Sequence, residues 1–150
     1  MSSKICTFFG HSHTPESIRP ILRETLTDLI ENQDVDTFYV GNQGNFDYMV
    51  KNELKRLAEI YPNIKYFVVL AYMPGKRDEL DITDYSDTIY PTGLESVPRK
   101  FAIDKRNRIM IDWADIVVTY VYHISGGAAK FKEIAEKKGK RVVNLCKKEL

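Results

Sequence analysis

The chain has 150 residues, 43% of them hydrophobic, enough to bury one core and too little for two domains. Its 22 Lys and Arg stand against 21 Asp and Glu, a formal charge of +1, and only the C-terminal end is a basic block. Nucleic acid is therefore not the expected partner. Met1 to Gly10 lacks a signal-peptide pattern, and no apolar run approaches the ~18 residues of a membrane span, so a soluble cytoplasmic protein is expected.

In chain order, strand-like and helix-like periodicities alternate. "KICTFFG" is a run of strand formers ending at Gly10, after which Ile18, Ile21, Leu22, Leu26, Leu29 and Ile30 recur at helical spacing. "DTFYVG" repeats the strand signal to Gly41, and Phe46, Met49, Val50, Leu54, Leu57 and Ala58 again share one helical face. "IKYFVVLAY" reads as a central parallel strand, apolar on both sides. The stretch from Ala71 to Pro98 breaks the rhythm with Pro74, Pro91, Pro98 and many acidic residues; only "DTIYP" within it looks like a strand. A loop of this length is uncommon unless it binds or covers something. The alternation then resumes with a helix from about Arg99 to Ala114, the strand "DIVVTYV", a glycine pair, a helix to about Lys138 and the strand "RVVNL". Cys6 and Cys146 fall within strands and read as core thiols of a reducing compartment, and no Cys or His spacing fits a zinc site.

This pattern predicts one α/β domain over residues 1–150, a three-layer Rossmann-like fold with a mainly parallel central sheet of five to six strands. In such sheets ligands sit beyond the carboxyl ends of the strands. Position alone therefore selects Gly10 and His11, Gly41 to Asp47, Tyr72 and Met73, and His123 to Gly127. In "GHSHTPES", Thr14 or Ser12 is expected to cap a helix begun by Pro15, while His11 faces the crevice. In "GNQGNFD", Gly41, Asn42, Gln43, Gly44 and Asn45 form a polar turn at a helix amino end, suited to anions or ribose hydroxyls. Asp47 would then serve either the helix dipole or a ligand. Ser125, Gly126 and Gly127 lead into a helix starting near Ala128, whose free amides suit phosphate. There is no GxGxxG and no GxxxxGK[ST], which argues against a dinucleotide fingerprint and an ATPase loop. In "RKFAIDKRNRIMIDWA" the inward stripe is expected at Ala102, Ile109, Met110 and Trp113, and Arg106 falls on it. A buried guanidinium must either snorkel out or meet an anion. Arg108 and Asp112, four apart, are expected to pair, and so are Glu133 and Lys137.

With "TFFGH", "GNQGNFD", "YPTGLESVPRKFAIDKRNRIMIDWADIVVTYV" and "SGGAAK" in this order, nearly the whole chain resembles the SLOG superfamily, which joins Smf/DprA-like and LOG-like Rossmannoid domains. It is most similar to the small stand-alone YpsA-like, DUF1273-type members. The resemblance implies binding of a nucleotide-derived ligand such as ADP-ribose, NAD or a nucleoside phosphate, no further cofactor, and a homo-oligomer. LOG-like members are phosphoribohydrolases that use an arginine and a glutamate. "RNRIM" resembles the first segment with Arg106 at the arginine place, and "SGGAAKFKE" the second with Glu133 at the glutamate place. Ser125, Ala129 and Lys130 depart from that pattern, where proline, glycine and threonine stand in the enzymes. N-glycosidic hydrolysis is thus the alternative to binding. A second alternative is a protein-interaction module with a vestigial crevice, using the 71–98 loop and the basic tail as partner surfaces.

Overall fold

Runs of β-branched and aromatic residues too short for helices become, among the described residues, six parallel strands: β1 (Lys4–Gly10), β2 (Val35–Val40), β3 (Lys65–Val69), β4 (Thr88–Ile89), β5 (Ile116–Tyr120) and β6 (Arg141–Asn144). The computed structural model describes residues 3–72 and 87–146. The spatial order is β4-β3-β2-β1-β5-β6, and every neighbouring pair is parallel. The expected α/β architecture is the one observed. From β1 the chain works outward to β4, then returns to lay β5 on the opposite side of β1. The direction of winding therefore reverses between β1 and β5, and a crevice opens beyond their carboxyl ends.

Helices cover both faces. α1 (Arg19–Asn32) and α2 (Gly44–Ile60) bury Leu22, Leu26, Leu29, Phe46, Met49 and Leu54 against Cys6, Phe8 and Phe38. Burying each such side chain contributes about 1.5–3 kcal/mol. On the other face α3 (Arg99–Trp113) and α4 (Gly127–Lys137) set Met110, Ile111, Phe131 and Ala135 against Phe9, Val69 and Val117. Among the described residues no helix is long and apolar enough to cross a membrane.

Several local expectations are corrected. Neither Thr14 nor Ser12 caps a helix: a 3-10 turn at Glu16–Ile18 intervenes and α1 starts at Arg19, while the buried Thr14 hydroxyl donates back to the His11 carbonyl. The buried side of α3 is Ala102, Arg106, Asn107, Met110 and Ile111. Ile109 is only half-buried and Trp113 is exposed, its ring 5.0 Å from that of Tyr39, because the inward stripe runs from Ala102 through Arg106 to Met110 at i+4 spacing and these two flank it. Arg108 pairs with Asp104 rather than Asp112, which instead takes Lys138. Cys6 is fully buried, whereas Cys146 follows β6 and is half-buried. Within the long loop, β4 is the strand expected at "DTIYP"; Met73 and Pro74, and the tail beyond Cys146, lie outside the described residues.

Candidate functional site

The first two glycine turns are joined to each other. A Cβ at Gly10 would stand 2.3 Å from the Phe46 ring, so the missing side chain lets α2 seat against the end of β1. Gly44 has φ +89°, and a Cβ there would come within 2.8 Å of the Ser12 backbone. Asn45 fastens the contact, its backbone N–H donating to the Ser12 carbonyl (2.9 Å) and its amide Nδ2 to the Thr14 carbonyl (2.6 Å). Gly10 and Asn45 are thus occupied in holding the crevice wall.

Arg106 forms the floor. It is 1% exposed, and a guanidinium withdrawn from water costs several kcal/mol unless its N–H groups are matched. Here Nε donates to Asn107 Oδ1 (2.8 Å), and Nη1 to the Val69 carbonyl (2.8 Å) at the end of β3 and to Asn42 Oδ1 (3.3 Å) beyond β2. Nη2 meets no acceptor among the described residues. Asp47 stands beside it, its Oδ2 accepting the Gln43 N–H (2.9 Å) at the start of α2. Burial raises the Asp47 carboxyl to about 6 against the downward pull of the Gln43 N–H and the Arg106 charge. The two charged groups approach over Gly41, where a Cβ would lie 2.9 Å from Asp47 Oδ2 and 3.2 Å from Arg106 Nη2. Burial also lowers the Arg106 pKa, opposed by Asp47 and Tyr72.

The third wall is the turn from β5 to α4. His11 Nε2 accepts the backbone N–H groups of Tyr122 (3.0 Å) and His123 (3.4 Å), which fixes the imidazole as neutral with its proton on Nδ1. Burial, then the neighbouring His123, lower its pKa, consistent with that role. The rings of Tyr122 and His123 pack on it with centroids 4.5 and 4.9 Å away. α4 begins at Gly127, with Gly126 at φ +103° as its cap residue and no side chain capping its amides. A Cβ at Gly127 would meet nothing within 4 Å.

Together these walls enclose about 510 Å³, lined by Gly10, His11, Gln43, Gly44, Asp47, Arg106, Ser125, Gly126 and Gly127 from the expected set. The volume suits a small-molecule ligand. Gly41 and Asn42 stand behind Arg106. Glu133 is not among the lining residues: its carboxylate is on Lys137 at 2.9 Å on the exposed side of α4. Asn107 and Ile103 line the crevice and were not singled out by periodicity. The signal for Asn107 was its place one residue from Arg106 and three before Met110, on the buried side. A second depression of about 470 Å³, on the outer face of α1 around Arg23, Glu24, Asp28 and Glu31, lacks any glycine turn.

No protein-family model matches the chain, and no curated protein matches it in sequence. Solved structures do match. The fold is shared with DNA processing protein A. The X-ray structure of this protein, DprA, from Streptococcus pneumoniae aligns at a TM-score of 0.65 and 16% identity, over 93% of this chain and 49% of that one. DNA processing protein A from Helicobacter pylori aligns at a TM-score of 0.65 and 14% identity, over 93% of this chain and 63% of that one, in a structure concerned with its single-stranded DNA binding mode. The chain thus spans between about half and two thirds of the DprA chains it matches. The fold implied by the resemblance to Smf/DprA-like proteins is the fold observed.

One expectation is overturned. Near-neutral charge was read as making nucleic acid an improbable partner, yet a protein of this fold binds single-stranded DNA. The error lies in the averaging. Around α3 and α4, Arg99, Lys100, Lys105, Arg106, Arg108, Lys130, Lys132, Lys137, Lys138, Lys140 and Arg141 outnumber Asp104, Asp112, Asp115, Glu133 and Glu136, whereas around α1 and α2 Glu16, Glu24, Asp28, Glu31, Asp34, Asp36, Asp47, Glu53 and Glu59 outnumber Arg19, Arg23, Lys51, Lys55 and Arg56. A sum near zero conceals a charge-segregated molecule.

Proposed function

We propose that the crevice binds a nucleotide-derived ligand of the nucleoside-phosphate, NAD or ADP-ribose kind. Phosphate lies on the amino end of α4 and the sugar lies toward Asp47. One observation carries the reading: the uncapped start of α4 shares a crevice with a buried guanidinium whose Nη2 has no partner among the described residues. Amides at a helix start hold a phosphate, and the guanidinium deeper in the crevice adds positive potential and a free donor for the rest of the ligand. The resemblance in the order of the motifs supports a YpsA-like member of the SLOG superfamily. Binding is favoured over N-glycosidic hydrolysis because the only acidic side chain near the glycine pair in sequence, Glu133, is held by Lys137 on the surface. No further cofactor is part of this reading. Isothermal titration of the full chain with AMP, ADP, NAD and ADP-ribose tests it, and no binding below millimolar concentration to any of the four would sink it. Gly127→Val sharpens the result. The added side chain has open space in the free protein, so the fold persists, but it stands where phosphate must approach and weakens binding at least tenfold, about 1.4 kcal/mol.

The basic α3/α4 face favours a second reading, in which the crevice and that face together hold the backbone of single-stranded DNA. Fluorescence anisotropy of a labelled oligothymidylate would then show binding that weakens steeply between 50 and 200 mM salt, on the order of a hundredfold or more for several phosphate contacts. A salt-independent signal, or one unchanged by Lys100→Glu with Lys105→Glu, would remove this reading.

A further inference from the structure

The corner of the crevice formed by Asp47 and Arg106 is chemically unlike the end formed by α4. Asp47 Oδ2 is engaged by the Gln43 N–H, and Oδ1 accepts nothing from the described residues. Arg106 uses Nε and Nη1 on Asn107, Val69 and Asn42, which leaves Nη2. Among the described residues no side-chain polar atom that is fully buried lacks a partner, so these two open into the crevice that both residues line. At pH 7, above the value near 6 to which burial raises the carboxyl, Asp47 is chiefly an acceptor with no proton to give, and Arg106 is a donor with no lone pair. Both groups flank Gly41, where a Cβ would stand 2.9 Å from Asp47 Oδ2 and 3.2 Å from Arg106 Nη2, yet they do not close into an ion pair, so neither is neutralised by the other.

We infer that this corner receives the vicinal hydroxyls of a ribose, the 2′-hydroxyl donating to Asp47 and the 3′-hydroxyl accepting from Arg106, so that the protein selects ribonucleotides over 2′-deoxyribonucleotides. The inference rests on the nucleotide reading of the crevice and adds the sugar class. Phosphate does not fit here, because its oxygens would face the Asp47 carboxylate. That repulsion directs the anion to the α4 amides and leaves the corner for a neutral group. Such a group must both donate and accept over neighbouring atoms, which a vicinal diol does and an apolar face does not. Removing the 2′-hydroxyl would close the site over an acceptor without a donor, a loss on the order of ten- to a hundredfold in affinity.

The test is titration of the wild-type chain with AMP, GMP, CMP and UMP and with their 2′-deoxy counterparts, repeated on Asp47→Asn after its circular dichroism is shown to match wild type. A preference for the ribonucleotides of at least fivefold in wild type is expected. In Asp47→Asn the preference should fall below twofold, since the single amide oxygen is committed to Gln43 and an N–H₂ replaces Oδ1. A wild-type preference under fivefold, with nucleotides bound, overturns the inference while leaving the nucleotide site in place. A preference that persists in folded Asp47→Asn also overturns it. No binding of any ribonucleotide overturns the nucleotide reading and this inference with it. Should Asp47→Asn not fold, comparing 2′-deoxy- with 3′-deoxyadenosine monophosphate on wild type decides: both must bind at least fivefold more weakly than AMP, and either one equalling AMP refutes the diol.

Discussion

The two faces of the sheet are built differently. Beneath α1 and α2 the interior is a continuous apolar layer of Leu22, Leu26, Leu29, Phe46, Met49 and Leu54; of the two buried carboxylates of α2, Asp47 lines the crevice and Glu53 has Arg19 and Arg23 on its oxygens at 2.8–3.3 Å. Beneath α3 the corresponding place is held by Arg106 and Asn107, bonded to amide and backbone oxygens from the ends of β2 and β3. One face spends its interior on cohesion and the other gives part of it to polar groups that serve an opening. A site is legible where core positions carry chemistry that core packing does not need.

The largest expected effect separates the faces directly. Leu54→Ala and Arg106→Ala should each lower unfolding free energy by about 3 kcal/mol, the first by leaving a cavity and the second by stranding three buried acceptors and an adjacent carboxylate. Urea unfolding would show the two alike, whereas nucleotide titration should show affinity lost only in Arg106→Ala. Equal affinities in the two folded variants would erase the distinction between the faces.

Acidification gives the next effect. The folded Asp47 carboxyl, at about 6, holds its proton more tightly than the unfolded one near 3.9, so its contribution is present at low pH and is lost as pH rises through 6. At about 1.4 kcal/mol per unit, the loss is about 3 kcal/mol. His11 runs oppositely. Its folded pKa lies below the ordinary value near 6.5, so its contribution is full above that value and is lost as pH falls, when protonation breaks the acceptor bonds from Tyr122 and His123. Wild type should therefore keep its stability between pH 7 and 5 better than Asp47→Asn, which retains only the His11 term. Identical urea midpoints across that range in the two proteins would show that Asp47 is not desolvated.

Smaller effects test single positions. Gly10→Ala drives a methyl into the Phe46 ring and should cost about 2 kcal/mol in thermal or urea unfolding. Glu133→Gln, on the exposed side of α4, should leave both melting temperature and nucleotide affinity within error of wild type. A tenfold loss of affinity in Glu133→Gln would bring that carboxylate into the site and revive the hydrolase reading.

Much of the fold follows from local periodicity. The alternation of runs marked the six strands of the described residues, including the two-residue β4, and the place of Arg106 four after Ala102 marked it as buried. What meets Arg106 was not legible, since Asn42 and Val69 come from other strand ends and only the assembled sheet brings them there. The same holds for Gly10, which lines the crevice and also seats Phe46, and for His11, whose partners lie at the far end of the chain. The segregation of charge was present in the order of residues and vanished only when summed.

Cys6 lies in the middle of β1, the strand that pairs with both β2 and β5, with no exposed surface and a thiol that burial pushes far from ionisation. A thiol reagent can reach it only after the two halves of the sheet part, whereas half-buried Cys146 needs no such event. The chain thus carries its own clock for global opening: the modification rate at Cys6 reports how often the whole sheet comes apart, and the rate at Cys146 in the same tube calibrates the reagent. A bound nucleotide should slow the first rate and leave the second unchanged, which turns mass spectrometry of two natural cysteines into a ligand screen requiring no engineered probe.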